Sequence, residues 1–172
     1  VTTRAARWRS APPARRRGFT LIEMIVVLAL VGILVMAAQP LQELALRRAQ
    51  EAALRQALRE IRSAIDEHRA AVLQRRVAAG PGGTPYPPSL LSLVQGVPVL
   101  DAQGQPGGAQ RLYLLRRLPR DPFADPALPA HESWGQRAST SPPDAPQPGA
   151  DVFDVYSRSA LAALDGSRYA QW

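Results

Sequence analysis

Residues 19–38 form a run of twenty in which Glu23 is the only charged member, and no other feature of the chain constrains the fold so strongly. At 1.5 Å rise per residue, about 20 apolar residues in a helix cover the roughly 30 Å hydrocarbon core of a bilayer. The run is therefore expected to be a transmembrane helix. Glu23 is its anomaly. A carboxylate at membrane depth costs about 2.5–3.5 kcal/mol on insertion scales unless it is paired or protonated, so it marks a functional position that needs a partner. A secretory signal peptide also sets arginines before an apolar core, but that core has about 7–15 residues and no reason to hold an acid.

The residues before the run, VTTRAARWRSAPPARRRG (1–18), carry six arginines and no acid. They lack apolar periodicity and are expected to be an unstructured basic leader held on the cytoplasmic side, with everything after Ala38 delivered across. The formal net charge of +7 sits mostly in this leader, because residues 80–172 balance seven arginines against eight acids. A nucleic-acid-binding protein would keep a clustered basic face on its folded part, so no nucleic-acid partner is expected. The chain contains no cysteine, which excludes disulfides and thiolate metal sites.

The hexapeptide Gly18-Phe19-Thr20-Leu21-Ile22-Glu23, with the basic leader before it and the apolar run behind it, resembles the processing site of type IV pilins and type II secretion pseudopilins. The resemblance implies that a prepilin peptidase cuts between Gly18 and Phe19 and that the new amino-terminal Phe19 is methylated. It also implies that Glu23 compensates the terminal amine of a neighbouring subunit during assembly. Electrostatics supports that pairing: a free α-amine with a reference pKa of about 8 is cationic at neutral pH, and a carboxylate lets both charges sit in lipid.

Pro40 follows the span and is expected to kink the helix or melt it locally near residues 36–40. From there to Ala79 the chain is dense in Ala, Leu, Arg, Gln and Glu, so the helix should continue to about Ala79, with Gly80 as a left-handed cap. Leu54, Leu58, Ile61, Ile65 and Val72, with His68 at the missing step, lie on one face that should carry a folded head. Glu51–Arg55 and Glu43–Arg47 are spaced to pair on the opposite, charged surface. A boundary at 80–85 then leads to a short helix near 86–94, with Pro87 or Pro88 in its first turn and Leu90, Leu91 and Val94 inward. Residues 101–110, DAQGQPGGAQ, are expected to be a glycine-rich loop without the context of a phosphate cradle. Strands are expected over 132–138, around Trp134, and over 151–157, with a proline-rich loop at 139–150 between them.

The expected organisation is a leader (1–18), a transmembrane and assembly helix (19–39), its amphipathic continuation (40–79) and a small head (80–172). The fold class is α+β, with a small antiparallel sheet packed on the carboxy-terminal half of a long helix. Tyr86-Pro87, together with Leu118, Pro119, Asp121, Pro122 and Phe123, resembles the G-type pseudopilins, general secretion pathway protein G. That resemblance implies a calcium site in the carboxy-terminal loop, for which Ser157 and Asp165 are the candidates. The paired acids are missing and Arg158 intrudes, so no cofactor is expected and the head should be stable without calcium. His68 and His131 lie in different elements, and no nucleophile–base pair occurs, so no enzymatic activity is expected.

The implied function is a structural subunit of a type II secretion pseudopilus in the bacterial inner membrane, leader cytoplasmic and head periplasmic. Its partners would be the prepilin peptidase, other pseudopilin subunits and an inner-membrane assembly platform. The alternatives are a type IV pilus-related subunit for adhesion, twitching or DNA uptake, and a bitopic membrane-anchored binding protein that does not polymerise.

Overall fold

The computed structural model describes residues 18–172, excepting the side chains of residues 37–41. The leader at 1–17 and the side chain of Pro40, where a kink was expected, lie outside the described residues. The chain divides into two compact units, Val1–Glu43 and Leu44–Trp172. The described elements are α1 (Leu21–Leu73), α2 (Leu90–Gln95) and four strands, β1 (Val97–Leu100), β2 (Pro106–Leu112), β3 (Trp134–Arg137) and β4 (Asp154–Ser157). The fold is α+β, a long amino-terminal helix followed by a short helix and small antiparallel sheets.

In the first unit, the apolar residues from Phe19 to Met36 are exposed around the whole circumference of the helix, Leu21 at 81% and Val27 at 44%. Among the described residues, no helix is long and apolar enough to cross a membrane. The expected span at 19–38 runs into residues whose side chains lie outside the description.

In the second unit, α1 contributes Leu54, Leu58, Ile61 and Ile65, all at most 2% exposed, to a core shared with Leu90, Leu93, Trp134, Val152, Val155 and Tyr169. Ala57, Ala64 and Ala71 are buried alongside them at seven-residue spacing, where their small side chains let the head approach the helix backbone. Val72 is only half buried. The stripe read from periodicity is thus the packing face, widened by alanines.

The helix ends six residues earlier than expected, at Leu73 rather than Ala79. Arg75 takes a left-handed φ of 56°. Its amide donates to Val72 O (2.9 Å) and the Arg76 amide donates to Ala71 O (2.8 Å), the bond pair of a Schellman cap. Gly80, expected as the cap, has φ −70°. The early stop frees Val77 to bridge Val99 of β1, and Val77 is 2% exposed, so tertiary pairing overrides the helix propensity of the last residues.

Residues 101–110 are a loop only in part. The Asp101 carboxylate accepts the amides of Gln103 and Gln105 at 2.9 Å each, and this turn reverses the chain into β2, which pairs antiparallel with β1. Glycine-rich sequence and Pro106 concealed the strand, which forms because β1 lies between Val77 and β2 with unpaired backbone to satisfy. In α2 the buried residues are Leu90 and Leu93, while the expected inward residues Leu91 and Val94 are less covered. Pro87 and Pro88 precede the helix, and Ser89 is its cap, accepting the Ser92 amide at 3.3 Å.

The second sheet is the one that periodicity anticipated: β3 pairs antiparallel with β4, Trp134 opposite Ser157 and Gly135 opposite Tyr156. The Tyr156 ring lies over Gly135 where a Cβ would stand, so a larger residue at this position would have to displace the ring. Among the described residues there are accordingly two two-stranded sheets, β1–β2 and β3–β4, in place of one.

Candidate functional site

The site at the head of α1 begins with Gly18, Phe19 and Thr20 exposed and outside any regular element, with the helix starting at Leu21. Thr20 caps it. Its Oγ1 accepts the Glu23 amide at 3.2 Å, and its carbonyl accepts the Met24 amide at 3.2 Å. Thr20-x-x-Glu23 is the spacing of a capping box, a signal present in the sequence but not used above. Glu23 therefore stands in the first helical turn, exposed, where the positive end of the helix dipole favours a carboxylate. Phe19 is 74% exposed, so the Gly18–Phe19 bond lies in open, non-helical chain just ahead of a rigid helix.

Two buried carboxylates and a half-buried arginine organise the second unit. Asp121, 1% exposed, lies in the 118–123 segment. Its Oδ2 accepts from Ser157 Oγ at 2.6 Å, its Oδ1 accepts the Phe123 amide at 2.8 Å, and its own amide donates to Ser133 Oγ at 3.2 Å. Trp134 Nε1 donates to Pro119 O at 2.9 Å, so the same segment is tied to β3 as well. Glu51, 5% exposed, accepts from the Leu164 amide (2.8 Å) and Tyr169 Oη (3.0 Å). It is three residues before Leu54 and thus on the packing face, which corrects its expected place on the charged surface. Its pair with Arg55 does form, at 3.8 Å. Arg62 joins α1 to β4, donating to Asp154 Oδ1 (2.8 Å), Val155 O (3.1 Å) and Trp172 O (2.7 Å).

His68 is 1% exposed, and its Nδ1 donates to Pro85 O at 3.0 Å. Burial lowers its pKa below the ordinary value, against the smaller raising effect of that bond. Burial raises the Tyr169 phenol, and the bond to the Glu51 carboxylate raises it further. Asp151 is lowered although burial alone would raise it, because the Ser139 hydroxyl (2.6 Å) and amide (2.9 Å) both donate to it.

The calcium candidates are engaged otherwise. The Ser157 hydroxyl is buried and committed to Asp121, while Asp165 Oδ1 accepts from the Ser167 amide (2.9 Å) and hydroxyl (2.6 Å) within its own turn. Asp165 Oδ2 faces Arg55 at 3.9 Å. Calcium takes six to eight oxygens, usually from several carboxylates. Among the described residues, no group of three or more acidic or histidine side chains converges on a point that could hold a metal. The residues of this loop do not fit the ion.

The amino terminus thus sets an exposed, non-helical segment ahead of a capped first turn that bears a carboxylate, followed by an apolar helix uncovered on every side. Residues 13–38 match the prokaryotic N-terminal methylation motif, the type IV pilin and pseudopilin signal. No curated protein and no solved structure matches the chain.

Proposed function

We propose that this chain is a pseudopilin-like structural subunit of a type II secretion pseudopilus, close to the G type, with no catalytic activity of its own. The observation that carries the reading is the methylation motif at 13–38 running directly into a helix that is apolar around its whole circumference. Burying a Leu, Ile, Val or Phe side chain contributes about 1.5–3 kcal/mol, so the exposed residues between Phe19 and Met36 leave tens of kcal/mol unrealised in water. A membrane before assembly and neighbouring helices after it supply that burial. The G-type assignment is supported by Tyr86-Pro87 and the 118–123 segment.

In this reading a prepilin peptidase cuts after Gly18 and Phe19 is methylated. The new amine then stands at the positive end of the helix dipole, where a cation is disfavoured, and the exposed Glu23 of a neighbouring subunit is the compensating anion. The precursor is a single-pass inner-membrane protein with a periplasmic head, delivered into the fibre by an inner-membrane assembly platform. The experiment is mass spectrometry of the amino-terminal peptide from cells with active prepilin peptidase. A methylated Phe19 terminus is expected; an intact leader overturns the proposal. Deleting the gene should then abolish secretion of a folded substrate while leaving surface pili intact, and the reverse result would assign the chain to a type IV pilus instead.

A further inference from the structure

We infer that residues 158–172 are fastened to the head by a side-chain lock centred on Glu51, and that this lock does the structural work of an ion. The loop residues that calcium would need are occupied. Ser157 is hydrogen bonded to Asp121, and Asp165 closes its own turn with Ser167 and Arg55. What holds the segment is a set of contacts from other elements converging on it.

Residues 162–168 fold back on themselves, Ala162 bridging Arg168 and the Ala163 amide donating to Ser167 O at 2.7 Å. The tip of this hairpin presents the Leu164 amide to Glu51 Oε1, and the chain leaving it presents Tyr169 Oη to the same oxygen. One buried carboxylate oxygen on α1 thus closes both arms of the hairpin. Tyr169, 0% exposed, is stacked on Phe123 at 4.2 Å between ring centroids and meets Trp172 edge-on at 5.0 Å. Trp172 is held in turn by its Nε1 donating to Ser167 Oγ (2.7 Å) and by the Arg55 guanidinium 4.0 Å from its ring centroid. A carboxylate that accepts two bonds and stays 5% exposed is costly to leave without its donors, so each bond removed loosens the lock.

The test uses the full chain in detergent micelles and limited trypsin digestion, because Arg158 and Arg168 are exposed and bracket the locked hairpin. Cleavage after these two residues reads opening of the segment, and cleavage after Arg116 and Arg117 reports on the rest of the head. With the wild-type chain, calcium at about 10 mM, well above the weakest extracellular dissociation constants, should leave cleavage at Arg158 and Arg168 the same as with chelator. Glu51→Ala should raise cleavage at those two sites at least tenfold while leaving Arg116 and Arg117 unchanged. Tyr169→Phe, which removes one of the two donors and keeps the stacked ring, should raise it by a smaller factor. Calcium protection of the wild-type segment by more than twofold, or wild-type cleavage in either variant, overturns the lock. Should Glu51→Ala fail to fold, the calcium comparison and Tyr169→Phe decide the matter by themselves. The inference stands apart from the assembly role, which the amino-terminal mass and the deletion phenotype decide.

Discussion

Asp121→Ala should be among the most damaging single changes in the head. The carboxylate is 1% exposed and accepts from Ser157 Oγ and the Phe123 amide, so truncation leaves one buried hydroxyl and one partly buried amide without an acceptor. Hydrogen bonds to a charged group contribute about 1.5–3 kcal/mol each. Two such bonds, less what relaxation and water entry recover, give an expected loss of about 3–4 kcal/mol. Against a typical domain stability of about 5–15 kcal/mol this is a large fraction, and at about 4–8 °C per kcal/mol it lowers Tm by roughly 12–30 °C. Ser157→Ala removes only one of the two bonds and should cost about half as much. Because both substitutions delete the Ser157–Asp121 bond, the double variant should be less damaging than the sum by about 1–3 kcal/mol. The assay is denaturant unfolding followed by near-ultraviolet circular dichroism, which senses Trp134, 0% exposed in the core. A loss below 1 kcal/mol for Asp121→Ala, or strict additivity with Ser157→Ala, would refute the claim that this bond ties the 118–123 segment to β4.

Glu23→Ala should leave cleavage after Gly18 and insertion intact yet disable assembly. Alanine inserts more readily than an acid, whereas a neighbour's buried ammonium left without a partner costs about 3–5 kcal/mol. Crosslinking between neighbouring helices in membranes measures this, and normal crosslinking would show that the carboxylate has another role. For His68, the lowered folded-state pKa means that between that value and 6.5 the unfolded chain binds more protons than the folded one. Its contribution to stability is therefore complete above pH 6.5 and lost as pH falls through the folded-state value, with a slope of at most about 1.4 kcal/mol per pH unit. Unfolding free energies measured from pH 7.5 down to 5 should show that slope in the wild-type chain and lose it in His68→Leu; an identical pH dependence in both would remove His68 as its source.

The sequence alone determined whatever depends on neighbours along the chain. The apolar run with its single acid, the buried stripe through Leu54, Leu58, Ile61 and Ile65, and strands β3 and β4 all follow from periods of 3.6 or 2 residues, which local burial enforces. The match to the methylation motif was legible for the same reason, since the residues that carry it, Gly18, Phe19 and Glu23 among them, are close neighbours in the chain. Tertiary structure decided what depends on distant partners. The helix stops at Leu73, against the propensity of the residues that follow, because Val77 gains a bridge to Val99 and burial in the head. β2 forms from a sequence with two glycines and a proline because β1 presents an edge to it. Glu51, an apparent surface acid, is an internal fastening because its donors, Leu164 and Tyr169, arrive from more than a hundred residues away. A buried carboxylate cannot be told from a solvated one by its neighbours in sequence, since the difference is made by whichever donors the fold brings to it.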